Sequence, residues 1–364
     1  MKFFLNLIFT VLLFPSLASS AGKGVNLRLC IWEGYAPDIS VKKFEKSMSK
    51  KHGFPVTVDV EYATDTDHLY EVIRTNKADV ISIAHSLIKA EKYSYIDRNL
   101  VLPLPIESMS NYSKLLATLK NADEAASGGK IYGVPIAHGP YGLAYNSKLM
   151  TAPKSWKDLL DPQFKGKFSI SEDQYEANVY IAALAAGVDR KDIFNLEKVA
   201  TDKVRKNLRY LAKHARNLWE AVDNVSDLKG LSLAASWGDS LGGLNQIGEP
   251  WKFAEPKEGT TGWVDFLLIN AQVKKDKRRE KIAVEWLNYS IGNHFQKEVI
   301  VRSIGNDPSN SSLAKELSPA LAKRHHLDDP SYFKNHRILW QTLDVRTQNG
   351  FKLMWERALA SRPQ

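Results

Sequence analysis

The sequence predicts an α/β fold with two lobes. Apolar, strand-like segments alternate with helix-like segments through the first third of the chain, and the alternation resumes after a glycine-rich stretch at residues 138–146. Strands separated by helices favour βαβ units and a mostly parallel sheet. The length of 364 residues is typical of two domains rather than one.

The elements of the first lobe follow from local patterns. Residues 25–32 and 78–83 are apolar runs typical of buried strands, and residues 56–60 alternate valine with polar residues, as in a half-buried strand. Residues 37–52 and 65–76 are predicted helices, the first with a proline at its start and a glycine just after its end.

The second half of the chain repeats this pattern, and we expect the chain to cross between the lobes more than once. The further predicted elements are a helix at residues 174–186, strands at 231–236 and 262–270, and a helix at 281–290. The predicted lobes are residues 22–136 with 265–312, and residues 137–264 with 313–364.

The N-terminus has the order of a secretory signal peptide, residues 1–21: a lysine, an apolar run and then small residues. The apolar run is shorter than the roughly 20 residues that a membrane span needs. Cys30, the single cysteine, lies too far along the chain for a lipid anchor and is expected to be a small buried hydrophobe in a strand. We therefore expect a soluble, monomeric periplasmic protein, secreted through the inner membrane of a Gram-negative type of cell.

Charge and motif content narrow the class of function. The formal net charge is +9, but nucleic acid is not expected as the partner of an exported protein, and the basic run at residues 274–279 is expected to be a solvated helix start. The sequence contains no P-loop, HExxH or GxGxxG motif. We identify no catalytic constellation, cofactor site or metal site, and we expect His325-His326 to lie on a solvated helix surface. The prediction is a binding protein rather than an enzyme.

Four short segments combine aromatic with acidic or amide residues, and three of them follow or end predicted strands. They are residues 31–35, 172–176, 236–239 and 262–265, with a weaker fifth at Trp340-Gln341. Ligands of open α/β sheets bind beyond the carboxyl ends of strands, so these segments can converge on one cleft. Aromatic walls and carboxylates suit a polyamine, a methylene chain with separated ammonium groups. Tryptophan is more often a core residue and an isolated aspartate more often a cap, so the joint occurrence carries the hypothesis.

The order of several motifs resembles the periplasmic spermidine/putrescine-binding proteins over nearly the whole mature chain. The matching pieces are Trp32-Glu33-Gly34-Tyr35-Ala36-Pro37, Tyr132-Gly133-Val134-Pro135, Gly142-Leu143-Ala144-Tyr145-Asn146 and residues 156–167. The resemblance implies a type II periplasmic-binding fold with a hinge and a ligand cleft between the lobes.

The resemblance also implies the ligand residues. Aromatic walls are expected from Trp32, Tyr35, Trp237 and Trp263, and Asp265 is expected to anchor an ammonium near the middle of the ligand. The remaining candidates are polar: Glu33, His85, Ser86, Asp173 and Glu176 (a D-x-x-E pair for one ammonium), Asp239, and Gln341, which is expected to bind one end of the ligand.

Three positions depart from the family pattern. Glu33 is shifted by one residue from an acidic position, residues 84–86 replace a serine–tyrosine pair, and Asn306 stands where a tyrosine is expected. Spermidine, norspermidine and putrescine types of ligand therefore all stay open. Two partners stay open as well: an integral-membrane ABC importer that receives the polyamine, or a membrane-bound signalling receptor to which the protein reports it.

Overall fold

The computed structural model describes residues 24–120, 122–329 and 331–362. The predicted signal peptide, residues 1–21, lies outside this range. Within the described residues, none of the helices combines the length and the apolar character that a membrane crossing requires.

The predicted strands and helices of both halves are present, with ends shifted by a few residues. The strands are β1 (Val25–Ile31), β2 (Val56–Tyr62), β3 (Val80–Ala84), β4 (Ala126–Ser127), β5 (Lys130–Ile131), β6 (Gly133–Asn146), β7 (Phe168–Ser171), β8 (Asn217–Trp219), β9 (Leu233–Ser236), β10 (Trp251–Phe253), β11 (Thr260–Ile269), β12 (Asp307–Pro308) and β13 (Arg337–Leu339).

The helices cover both faces of the sheet, and their ends carry the expected signals, such as the left-handed Gly53 after the first one. They are α1 (Asp38–His52), α2 (Thr66–Arg74), α3 (His85–Ile88), α4 (Ala117–Lys120), α5 (Tyr175–Ala186), α6 (Leu196–Val199), α7 (Asp202–His214), α8 (Val225–Leu228), α9 (Leu241–Gln246), α10 (Lys277–Ser290), α11 (Asn293–Phe295), α12 (Pro319–Arg324), α13 (Tyr332–His336) and α14 (Val345–Leu359).

The main sheet is mixed, with the strand order β2-β1-β3-β11-β6-β9-β7-β8. Strands β1, β2 and β3 are parallel to one another, as are β7, β8 and β9. The long central strands β6 and β11 run antiparallel to each other and to their outer neighbours β9 and β3. The α/β class is confirmed, and the expected parallel pairing holds within each half but not at the two central strands.

Two sets of buried cores lie on either side of β6 and β11. One core contains Tyr141, buried apolar side chains between residues 143 and 254, and the C-terminal helix α14. The cores on the other side are built from α1, α2, α10 and strands β1 to β3. A small separate core joins Val301 to Leu313 and Leu327. Residues 313–327 therefore pack against the π-helix Gln296–Ile304, which belongs to the predicted first lobe, and the lobe boundary at residue 312 stays a prediction.

A buried ion cluster lies where β6, β12 and β13 meet, and it consists of His138, Asp307, His325 and Arg337. The Asp307 carboxylate is 2.9 Å from His325 Nδ1, 3.2 Å from an Arg337 nitrogen and 3.7 Å from His138 Nδ1. All four residues are buried. The expectation of a solvated surface was therefore wrong for His325, because Asp307 and the segment around it cover the ring.

Candidate ligand-binding site

The carboxyl ends of β1 and β3 meet the middle of β11 at one point of the sheet. Strand β1 ends at Ile31, just before Trp32, and β3 ends at Ala84, which pairs with Asp265 of β11. Asp265 also pairs with Ala137 of β6. The topology therefore brings the loop at residues 32–35 and the β11 carboxylate to the same place, as the position of strand ends predicts.

Asp265 is a buried carboxylate with one hydrogen bond from a side chain. The hydroxyl of Tyr35 donates to Asp265 Oδ2 at 2.7 Å, and Asp265 is only 8% exposed. Burial raises the pKa of Asp265 to about 7, against a smaller opposing effect of the Tyr35 hydrogen bond. The pKa of Tyr35 is also raised, first by burial and then by the charge of Asp265.

Trp263 lies two residues before Asp265 on the same strand, so the two side chains emerge on the same face. Its partner in β6 is Gly139, and a Cβ atom there would lie 2.8 Å from the Trp263 ring. The glycine is required for the indole to lie against β6. The indole Nε1 of Trp263 has no hydrogen-bond partner among the described residues.

The loop after β1 supplies a half-buried indole and an exposed carboxylate. The Trp32 backbone N–H donates to Ser82 Oγ of β3 at 2.8 Å, which fixes the start of the loop. Gly34 has a φ of +90°, so the chain turns there and returns Tyr35 to the interior. Glu33 is exposed, whereas Tyr35 is 3% exposed.

Asp223, a residue that the sequence analysis missed, organises the loop after β9. It accepts hydrogen bonds from Ser236 Oγ at 2.9 Å, from the Trp237 N–H at 2.9 Å and from Ser240 Oγ at 2.5 Å. Its side chain is buried. An aspartate within a polar segment gave no signal in the sequence, because its partners lie 13 to 17 residues further on.

Asp239 lies in this loop, in the other half of the molecule from Tyr35. Its side chain reaches solvent on one side, yet surrounding protein raises its pKa to about 6, with a further contribution from the charge of Asp223. The charge of Asp239 also raises the pKa of Tyr35, after the larger effects of burial and Asp265. The two carboxylates therefore act on one hydroxyl from opposite halves of the molecule.

Trp237 belongs to an aromatic cluster with Tyr141 and Trp340. Its ring centroid is 4.6 Å from that of Tyr141, edge to face, and 5.5 Å from that of Trp340. Tyr180 continues the cluster at 5.7 Å from Trp340. Trp237 and Trp340 pack on the core of the second half, whereas Trp32 and Trp263 pack on the first, so aromatic surface comes from both sides.

The predicted D-x-x-E pair divides into two different environments. Both oxygens of Asp173 accept hydrogen bonds, from Ser171 Oγ at 2.6 Å and from the Ala221 N–H at 3.1 Å, and the side chain is exposed. Glu176 lies in the first turn of α5, where burial raises its pKa, and it accepts a 3.2 Å hydrogen bond from Tyr175. Of the two carboxylates, that of Glu176 accepts fewer hydrogen bonds.

His85 and Ser86, at the start of α3, contact the chain segments that join the two halves. The Val264 N–H donates to His85 Nδ1 at 3.2 Å, and Thr342 Oγ1 donates to the Ser86 carbonyl at 2.8 Å. Burial lowers the pKa of His85, against an opposing effect of Glu124. The accepting Nδ1 means that the neutral His85 ring carries its proton on Nε2.

Gln341 is exposed and lies at the edge of a surface cavity of about 420 Å³. The cavity is also lined by Lys191, Phe194 and Asp344, and it includes none of Tyr35, Trp263 or Asp265. The role of Gln341 at one end of a ligand stays a prediction.

Residues 238–242 also have a G-x-S-x-G spacing, which in hydrolases can present a nucleophilic serine between a strand and a helix. Here Ser240 is buried, its hydroxyl donates to Asp223, and its φ of −76° is unstrained. No histidine contacts this hydroxyl among the described residues. The segment is a loop anchor in this fold.

Aromatic side chains from two lobes, together with the buried Asp265 carboxylate at a shared strand end, are typical of a solute-binding protein of the two-lobed α/β type. The sequence profile of the bacterial extracellular solute-binding proteins matches residues 40–328, and the chain belongs to this family. These are binding proteins, so the prediction of a non-enzymatic protein is confirmed.

Individual relatives agree with this assignment. The spermidine/putrescine-binding periplasmic protein of Salmonella typhimurium is 24% identical over 316 residues, which cover 84% of this chain and 83% of the relative. The fold is shared with the spermidine/putrescine ABC transporter substrate-binding protein PotD from Streptococcus pneumoniae, with a TM-score of 0.75, 15% identity and coverage of 93% and 99% of the two chains. It is also shared with the Atu4243-GABA receptor, with a TM-score of 0.68, 18% identity and coverage of 93% and 98%. The two-lobed periplasmic-binding fold is thereby confirmed.

Proposed function

We propose that this protein binds a linear polyamine of the spermidine, norspermidine or putrescine type between its two lobes, in the periplasm. The main support for the proposal is the burial of the Asp265 carboxylate, which is 8% exposed and has the Tyr35 hydroxyl as its side-chain partner. A buried carboxylate of this kind is costly without a cation, and an ammonium group supplies one. Trp263 beside it offers the apolar surface that a methylene chain needs.

The energetics of such a site reach the range of useful affinity. A charged hydrogen bond contributes about 1.5–3 kcal/mol, and an ammonium over an aromatic face about 0.5–2 kcal/mol. Two or three anchors together approach the roughly −8 kcal/mol of a micromolar complex. Asp265, Asp239 and Glu176 are the proposed anchors, and their local negative charge offsets the overall charge of +9.

The names of the relatives support the ligand class but not one particular amine. The Salmonella relative is a spermidine/putrescine-binding protein, whereas a protein of the same fold is a GABA receptor. All of these molecules carry an ammonium group on a flexible chain, and GABA adds a carboxylate. A polyamine is favoured over an amino acid here because the proposed anchors, Asp265, Asp239 and Glu176, are all acidic.

The proposed destination of the ligand is an ABC importer in the inner membrane. This partner is inferred from the names of relatives that belong to spermidine/putrescine ABC transporters. The alternative partner is a membrane-bound signalling receptor, which requires the same closed shape. Capture of detergent-solubilised membrane proteins with the purified, ligand-loaded chain distinguishes the receptor from the importer.

Isothermal titration calorimetry tests the proposed ligand class on protein stripped of bound ligand by unfolding and refolding. The panel contains putrescine, cadaverine, spermidine, norspermidine and spermine, with GABA, sugars and ferric iron as controls. Micromolar or tighter binding of one polyamine is the expected result. Binding of a control in place of every polyamine would contradict the proposal.

Asp265→Asn tests the anchor itself. The amide keeps an acceptor for the Tyr35 hydroxyl but removes the charge, so polyamine affinity is expected to fall about ten- to hundred-fold, as for a lost charged hydrogen bond. The melting temperature is expected to stay within a few degrees of the parent. Asp97→Asn, an exposed aspartate, is the matched control. Equal affinity of Asp265→Asn and the control would remove Asp265 from the site.

A further inference from the structure

A group of protein atoms of the types that bind metal ions lies outside the candidate site, near the ends of β1 and β2. Cys30 of β1 pairs with Glu61 of β2, so the two side chains emerge on the same face of the sheet. Helix α2 covers this face and carries His68. The Cys30 Sγ, a Glu61 carboxylate oxygen and a His68 ring nitrogen all lie within 4.8 Å of one another.

The burial of these three side chains changes in steps from core to solvent. Cys30 is fully buried, His68 is half-buried and Glu61 is exposed. His68 Nε2 lies 3.1 Å from Glu61 Oε1, and the Thr64 N–H donates to His68 Nδ1 at 3.3 Å. The group therefore extends from the exposed Glu61 carboxylate inward to the Cys30 thiol.

We propose that Cys30, Glu61 and His68 bind a divalent transition-metal ion of the Zn²⁺ type. Zinc takes sulfur at about 2.3 Å, histidine nitrogen at about 2.0–2.1 Å and carboxylate oxygen at about 2.0–2.2 Å, which separates ligand atoms by about 3.3–3.8 Å in a tetrahedron. The present ligand atoms lie within 4.8 Å of one another, so binding requires the side chains to move closer together. A thiolate with an imidazole favours zinc over calcium or magnesium, and solvent completes the fourth position on the exposed side.

Binding has a defined proton balance. The Cys30 thiol gives its proton to solvent as the metal–sulfur bond forms, since the thiolate is the ligand. The Nε2 lone pair of His68 binds the ion, the ring proton then resides on Nδ1, and the hydrogen bond from the Thr64 N–H is given up. One proton is released for each ion bound, so binding strengthens as the pH rises.

The site would join α2 to β1 two residues before Trp32, at the base of the loop that carries Trp32 and Tyr35. Its occupancy is expected to raise the melting temperature, because the ion binds the folded chain and not the separated ligands. Metal binding at this site does not depend on which solute the cleft accepts.

The test uses purified protein that has been dialysed against a chelator. Titration with Zn²⁺ in competition with a metal-binding dye is expected to give one ion for each chain. Titration with Co²⁺ is expected to give a near-ultraviolet sulfur-to-cobalt charge-transfer band, which reports the Cys30 thiolate directly.

Three variants decide the assignment. Cys30→Ser is expected to abolish the cobalt band, and His68→Gln, on a partly exposed helix face, to weaken zinc binding at least ten-fold. The control is His294→Gln, an exposed histidine far along the chain, which is expected to bind zinc as the parent does. If Cys30→Ser does not fold, His68→Gln and the parent cobalt spectrum decide alone. Absence of stoichiometric zinc binding, a cobalt complex without the thiolate band, or unchanged affinity in His68→Gln would each overturn the proposal.

Discussion

Among single residues, the carboxylates of the candidate site differ in how strongly the protein disfavours their charge. Burial raises the pKa of Asp265 to about 7, and that of Asp239 to about 6. Asp173, in contrast, has both oxygens hydrogen-bonded at the surface. A carboxyl group with such a raised pKa is partly protonated near neutral pH, and a bound cation displaces that proton, which couples ligand binding to pH.

Polyamine affinity is therefore expected to fall as the pH is lowered. Between pH 8 and pH 5.5 Asp265 becomes protonated in the free protein, and the ligand must displace that proton, which reduces affinity about ten- to hundred-fold. Calorimetry at several pH values, in buffers with different ionisation enthalpies, measures both the affinity and the proton release. Asp265→Asn should flatten most of this dependence, and an equally steep profile in that variant would place the titrating group elsewhere.

The same groups have the opposite effect on the stability of the ligand-free protein. Their folded pKa values lie above the unfolded values, so the folded state binds more protons, and this contribution to stability is lost as the pH rises from about 4 to 7. The proposed polyamine ligand is expected to offset the loss, because it would pair with the ionised forms.

The conformation of the loop between β9 and α9 depends on one buried side chain, that of Asp223. Asp223 receives the hydrogen bonds that hold Trp237 and Ser240 in place, and Gly238, with a φ of +99°, lies against the ring of Phe253. The loop carries an aromatic and an acidic candidate ligand residue. Its shape, more than its sequence, determines whether they face the same site.

Asp223→Asn is expected to disturb this loop. The amide nitrogen cannot accept the hydroxyl or N–H donors, so at least one buried donor loses its partner, and the free energy of unfolding should fall by about 1–3 kcal/mol. Polyamine affinity should fall as well, since Trp237 and Asp239 are no longer held. Chemical denaturation and calorimetry measure the two effects, with Asp97→Asn as the control. A stable variant with parental affinity would contradict the role given to Asp223.

At the scale of the whole molecule, the two halves are joined by β6, β11 and the buried ion cluster. Burial opposes ionisation of Asp307, but the hydrogen bond with His325 and the charge of Arg337 hold its pKa well below the usual range. Burial lowers the pKa of His138 to about 4, so this ring is neutral at physiological pH and Arg337 is the principal counter-charge. The cluster connects β6, β12 and β13 at the place where the chain crosses between the cores.

Removal of the Asp307 charge should destabilise the entire fold. Asp307→Asn leaves Arg337 buried without its counter-charge, a change that typically costs about 3–5 kcal/mol. The expected result in urea denaturation is a lower midpoint with one cooperative transition. A variant as stable as the parent would show that solvent reaches Arg337. Asp328→Asn, at an exposed aspartate of the same region, is the control for loss of a surface charge.

Much of the fold follows from local patterns, because the alternation of valine in β2 and the proline and glycine around α1 depend on neighbours in sequence. The antiparallel pairing of β6 with β11 did not follow, since it joins residues more than one hundred positions apart. The aromatic and acidic character of residues 31–35 and 262–265 could be predicted, because it depends only on neighbouring residues. The roles of Asp223 and Tyr141 could not, because they depend on contacts with residues that are not adjacent in sequence.

The sequence by itself determined the α/β class, the binding-protein family and the aromatic and acidic residues from which a polyamine site can be built. Only the tertiary structure decided which carboxylates lose contact with water. Tyr35 and Asp265 are 230 positions apart, yet their hydrogen bond and shared burial set the pKa of both. Desolvation and charge coupling act through space, so the residues that control them are identified by the fold and not by their spacing along the chain.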